Sequence, residues 1–119
     1  MAQEEGFAGW SPESAAIDTG WKETNPVGDC PKTHYPASIE LMPLPGDWVR
    51  FRAIFLPRPS EDFDSRHAVS LRTEEYRKLD AKLKDEGYTQ ISHQMVTVMI
   101  GNVHQAVWIR LARRGPDRD

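Results

Sequence analysis

The chain has 119 residues, the size of one domain, and its 39% hydrophobic and 28% charged residues are typical of a globular protein. Its net charge of −3 argues against a general nucleic-acid-binding protein. The single cysteine, Cys30, excludes an internal disulfide and indicates a reducing, cytoplasmic environment. No apolar run approaches the roughly 20 residues of a membrane span, so we expect no membrane segment.

Residues 1–37 differ in composition from the rest of the chain. Glycines and prolines interrupt this segment every few residues, which prevents a long helix or strand. Its aromatic residues are Phe7, Trp10, Trp21 and Tyr35. Residues 1–47 carry eight acidic and two basic side chains, whereas residues 48–119 carry ten acidic and thirteen basic ones. We therefore predict an irregular acidic arm whose aromatic rings, Trp10 and Trp21 in particular, pack on the body or on a partner.

The elements that follow are predicted from hydrophobic periodicity. Strands are expected at 38–42, 48–56, 67–71, 88–100 and 103–113. A helix is expected at 73–86, because Tyr76, Leu79 and Leu83 form one apolar stripe, with Thr73 as its N-cap and Gly87 at its end.

The last two strands are predicted to form a hairpin. Gly101 and Asn102 separate them and are typical of a two-residue turn, which fixes the register. On one face this register pairs Met95 with Trp108, His93 with Arg110, and Met99 with His104. The other face is aliphatic, so we predict that it packs beneath the helix. The Trp108 face is then left as a candidate binding surface.

The predicted fold class is α+β. It consists of an antiparallel sheet of four to five strands, with one helix packed on one face and an irregular aromatic N-terminal arm before it. The expected organisation is an arm at 1–37, an α+β domain at 38–114 and a polar tail at 115–119.

The common catalytic and metal-binding motifs are missing from the sequence. It contains no P-loop, dinucleotide glycine motif, HExxH, EF-hand loop or paired CxxC, so no cofactor and no metal site is predicted. His93 and Arg110 are the candidates for proton transfer and anion stabilisation. In the predicted register, His93 and His104 lie too far apart to share a metal ion.

These features favour a small non-catalytic interaction protein. It would dock the amphipathic sheet face and the aromatic arm onto a protein partner or a second copy of the chain. One alternative is a small pocket enzyme, similar in kind to an isomerase or cyclase, or a binding protein for a small apolar ligand, using the same Trp, Met, His and Arg face. A weaker alternative is a nucleic-acid-binding module, in which arginines and tryptophans form the platform.

Overall fold

The structure is a computed structural model that describes residues 15–111. Its strands are β1 (Ile17–Asp18), β2 (His34–Leu44), β3 (Trp48–Pro57), β4 (Phe63–Arg72), β5 (Thr89–Val98) and β6 (Gly101–Leu111). One α-helix, α1 (Thr73–Asp85), lies between β4 and β5, and short 3-10 turns occupy Pro26–Asp29 and Pro45–Asp47. The α+β class is confirmed, as is the helix, which was predicted to end one residue later. None of the helices in the described range is long and apolar enough to cross a membrane.

The strands form two antiparallel three-stranded sheets. Sheet one has the order β1-β3-β2 and sheet two the order β4-β6-β5. The prediction of one sheet of four to five strands is therefore wrong. The reason is that β2 does not pair with β5 or β6 but packs across sheet two, where it contacts β4, β5 and β6. Two sheets in contact bury apolar side chains from both, as in other layered folds.

The segment predicted as an arm lies along sheet one where it is described. Ile17 pairs with Phe55, and an isolated bridge joins Lys22 to Phe51 on the same strand. Strand β2 already begins at His34, so the predicted boundary after residue 37 falls inside a strand. A register shift follows Pro36, where proline cannot contribute to the ladder.

The hairpin turn lies two residues before the predicted one. Met99 and Ile100 form the turn, and Val98 pairs with Gly101, so the predicted register is wrong. Within residues 15–111, positive φ outside glycine occurs only at Asp47 and Ser70, so both turn residues have negative φ. The positive φ falls on Gly101 instead, at 121°. Glycine is thus needed just after the turn rather than within it.

The helix covers the opposite face of sheet two from the one predicted. Because the register differs by an even number of positions, the same side chains still share a face. Trp108 and Ala106 pack under α1 against Leu83, whereas Val107 packs against Ile39 in sheet one. The aliphatic face is required between the two sheets, so the prediction that it lies beneath the helix is wrong.

Buried amides join the two sheets. The Leu41 amide of β2 donates to Gln94 Oε1 over 2.8 Å, and Gln105 Nε2 donates to the same oxygen over 3.0 Å. Gln105 Oε1 in turn accepts from the Ser70 amide at 2.9 Å. Gln105 is fully buried, and these bonds satisfy it where an unpaired amide would be costly.

Candidate functional site

The predicted Trp108 surface is part of the core. Trp108 is fully buried beneath α1, and its indole Nε1 donates to Asp80 Oδ1 over 2.9 Å. Burial works to raise the pKa of Asp80, but hydrogen bonds from Trp108 and Lys84 hold it below its ordinary value. A partner cannot reach this ring unless the helix leaves the sheet.

The two histidines of this face meet instead of lying apart. His93 Nε2 and His104 Nδ1 are 2.8 Å apart, so the sequence-based separation is wrong, because it rested on the wrong register. Tyr76 stacks on both imidazoles, with ring centroids 4.5 Å from His93 and 4.6 Å from His104. The other nitrogen of His104, Nε2, lies 2.9 Å from Thr73 Oγ1. Thr73 is therefore the first residue of the helix and a partner of His104, not the predicted N-cap.

This histidine pair has one buried and one exposed member. His104 is 5% exposed, whereas His93 is exposed to solvent. Burial lowers the pKa of His104, and the neighbouring His93 and Arg77 lower it further. A proton shared between two imidazoles requires at least one of them to be neutral, which this environment favours.

Arg110 lies with a different set of residues from His93. Its Nη1 donates to the Glu86 carbonyl over 2.8 Å, and its Nη2 is 3.7 Å from Asp64 Oδ2. The guanidinium carbon is 4.4 Å from the Tyr88 ring centroid. The Tyr88 hydroxyl donates to Asp64 and is the main cause of its lowered pKa, although burial opposes it. The guanidinium thus joins the end of α1 to sheet two, and the predicted pairing with His93 is wrong.

The remaining predicted binding residues are spread over the surface. Met95 and Met99 are exposed, Met95 on β5 and Met99 in the hairpin turn. Trp21 lies on sheet one with the Arg52 guanidinium 5.9 Å from its ring centroid. Trp10 lies outside the described residues. Among residues 15–111, no three His, Cys, Asp or Glu side chains are grouped where they could hold a metal ion.

An open apolar groove lies where the two sheets meet. It has a volume of about 660 Å³ and is bounded by the Pro45–Asp47 turn on one side and the β5–β6 turn on the other. Apolar side chains from both sheets line it, among them Leu41, Leu44, Trp48, Met99, Ile100 and Val103. Its size and lining resemble those of ligand sites, which are concave and mostly apolar with a few polar groups.

The groove also contains unusual backbone. Asp47 and Ser70, the two non-glycine residues with positive φ in the described part of the chain, both line it, with φ of 67° and 60°. Such conformations cost of order 1–3 kcal/mol and concentrate at binding and active sites. The Ser70 backbone amide donates a hydrogen bond to Gln105 Oε1, and a Cβ on Gly46 would lie 3.3 Å from the Trp48 ring. The surrounding structure therefore determines the shape of the groove.

Sequence reasoning missed Ile100 and the groove itself, and it considered Trp48 only as part of the nucleic-acid platform. The available signal was an apolar pair, Met99 and Ile100, beside a turn glycine, where polar residues are usual. A tryptophan directly after Pro45, Gly46 and Asp47 gave the same signal at the other turn.

Comparison with known proteins adds no assignment. No protein-family model, curated protein or solved structure matches this chain.

Proposed function

We propose that the chain is a non-catalytic interaction protein whose docking site is the apolar groove between the two turns. Its occupant is an apolar segment of a partner protein. The supporting observation is that the three most exposed large apolar side chains in residues 15–111 all line this groove. They are Met99 at 79%, Trp48 at 68% and Ile100 at 62% exposed.

The exposure of three large apolar side chains is unfavourable unless a partner buries them. Burying a large apolar side chain stabilises by roughly 1.5–3 kcal/mol, so three exposed ones represent a large unused contribution to binding. Contiguous apolar patches on soluble domains typically mark interaction sites. Tryptophan and methionine are enriched in the cores of protein interfaces, and methionine adapts its shape to the partner.

The open form of the groove favours a peptide segment over an enclosed small molecule. Small ligands are usually buried over most of their surface, whereas Trp48 and Met99 leave this groove open along its rim. A segment laid between two turns covers both rims at once. Location in the cytoplasm belongs to the same proposal and rests on the single cysteine.

The test selects peptides rather than requiring a known partner. A displayed library of random 12-residue peptides is enriched on the wild-type chain and depleted on the Ile100→Ser variant. The selected peptides are labelled with fluorescein, and their Kd is measured by anisotropy. We expect apolar peptides whose Kd rises roughly tenfold or more with Ile100→Ser, as loss of one buried aliphatic contact implies.

The chain offers a closely matched control. Leu111 is 61% exposed, almost as much as Ile100, but lies at the end of β6 outside the groove lining. Leu111→Ser should leave Kd within about twofold. If no peptide distinguishes Ile100→Ser from Leu111→Ser, the groove is not the docking site. If binding of the neutral dye Nile red depends on Ile100 and binding of every peptide does not, the occupant is a small apolar molecule. The assignment of a protein partner to the groove is then wrong.

A further inference from the structure

The charged side chains around the groove indicate the charge of the segment that would bind there. Among the described residues that line it, Asp47 is the only ionisable one. A second, shallower depression is lined by Arg72, Thr73, Glu74, Glu75, Gly101 and Asn102. The two depressions meet at the β5–β6 hairpin, because Gly101 pairs with Val98 and Asn102 pairs with Thr97, which both line the groove.

The balance of these charges is negative. The two depressions are lined by three carboxylates, those of Asp47, Glu74 and Glu75, and by one guanidinium, that of Arg72. The N-terminus of α1 adds the equivalent of roughly half a positive charge, which does not reverse the sign. Within residues 15–111, Asp47 and Glu74 form no ion pair, and Glu75 accepts one bond, from the Arg72 amide over 3.1 Å. Carboxylates therefore line both depressions.

We propose that the partner segment is basic as well as apolar: its apolar side chains fill the groove, and lysines or arginines on either side face Asp47 and the Glu74–Glu75 pair. This inference rests on the proposed function. The exposed Trp48 ring follows directly after Asp47 in the chain, and a cation near both gains from the carboxylate and from the aromatic face. An acidic segment, or a surface rich in anionic lipid, is repelled by the same groups.

The experiment compares three peptides with the same apolar residues. Each carries leucines at the apolar positions found by selection, with lysine, glutamine or glutamate at the flanking positions. Exposed ion pairs contribute little individually, so two or three pairs together should give the lysine peptide a Kd about tenfold lower than that of the glutamine peptide. The glutamate peptide should bind more weakly than both. Raising the salt concentration from 50 to 500 mM should remove most of the difference in Kd between the lysine and glutamine peptides.

Two variants and one control assign the effect to the rim. Asp47→Asn keeps a residue that tolerates positive φ, and Glu74→Gln keeps the helix. Each should raise the Kd of the lysine peptide severalfold while leaving that of the glutamine peptide unchanged. Asp85→Asn, at the other end of α1, changes the net charge equally and should have no effect on either peptide.

The outcomes separate the inference from the function on which it rests. If the lysine, glutamine and glutamate peptides bind equally and binding of all three depends on Ile100, the groove is a docking site. The inference that the partner segment is basic is then wrong. If the lysine preference persists in Asp47→Asn and Glu74→Gln and falls with Asp85→Asn, it comes from net charge and the inference is also overturned. If no peptide depends on Ile100, the proposed function itself fails.

Discussion

The Tyr76, His93 and His104 rings form a stacked cluster between α1 and the β5–β6 hairpin. The two imidazole planes are 7° apart, and Tyr76 lies 3° from parallel with His104. With the rings stacked and both nitrogens of His104 engaged, this side chain has little room to reorient. The cluster joins α1 to β5 and β6 and contains His104, whose pKa is lowered chiefly by burial.

The His104 environment predicts that stability falls in mild acid. Its pKa is lowered in the folded state, chiefly by burial and then by His93 and Arg77, whereas the unfolded chain keeps a value near 6.5. The unfolded state therefore binds more protons below about pH 6.5, so the free energy of unfolding is retained above that pH and lost as pH falls. Urea unfolding between pH 7.5 and 5 should show this decrease, and His104→Gln should make it smaller.

The slope against pH, rather than the absolute stability, is the decisive readout. His104→Gln removes stacking and lowers stability at every pH, but only loss of the titrating group changes the slope. His67, on β4, also has a pKa lowered by burial. The variant His67→Gln therefore measures how much of the slope of stability against pH comes from His67. A slope unchanged by His104→Gln would show that His104 titrates alike in both states.

Among the elements, the β5–β6 hairpin shows how the position of one turn determines which side chains line the groove. Its turn residues have negative φ, and the positive φ falls on Gly101, the first residue of β6. Two apolar side chains are thereby held at the tip, next to Thr97, whose hydroxyl donates to Asn102 Oδ1 over 2.8 Å. A glycine placed within the turn would have moved both apolar residues into the strand.

We predict that Gly101→Ala destabilises the hairpin by about 1–2 kcal/mol, the cost of a side chain at positive φ. Among residues 15–111, no atom beyond the chain neighbours of Gly101 lies within 4 Å of the position that a Cβ would occupy, so the loss is conformational and not steric. Gly28 provides the control, since it has equal space but no positive φ, and Gly28→Ala should be neutral or slightly stabilising. The measurement is the urea midpoint at constant m. Equal effects of the two variants would contradict the assigned turn.

Periodicity predicted the elements but not how they assemble. Alternation over residues 48–56 and the Tyr76–Leu83 stripe are local properties, and both matched the structure. The face of sheet two that meets the helix could not be chosen in this way, because both faces of β6 are buried from Val103 to Trp108. With two apolar faces, alternation gives no preferred side. The groove depends on that choice, so it was beyond sequence reasoning as well.

At the scale of the whole molecule, the two sheets share one core and should unfold together. Ile39 of β2, Ala53 and Phe55 of β3, and Val107 of β6 form one buried cluster. Ile39 belongs to sheet one, on the strand that packs across sheet two, and its side chain shares a buried cluster with Val107 of sheet two. A cavity at this position weakens contacts to each of them.

We therefore predict that Ile39→Ala lowers global stability by about 2–5 kcal/mol, a large part of the 5–15 kcal/mol typical of a domain. Amide hydrogen exchange should accelerate by a similar factor in β3 of sheet one and β6 of sheet two, because both open only in the global unfolding step. Ile91→Ala, which truncates an exposed isoleucine on β5, should change neither appreciably. Faster exchange in β3 alone would mean that sheet two is stable without sheet one, and that the groove between them can open while the His93–His104 cluster stays folded.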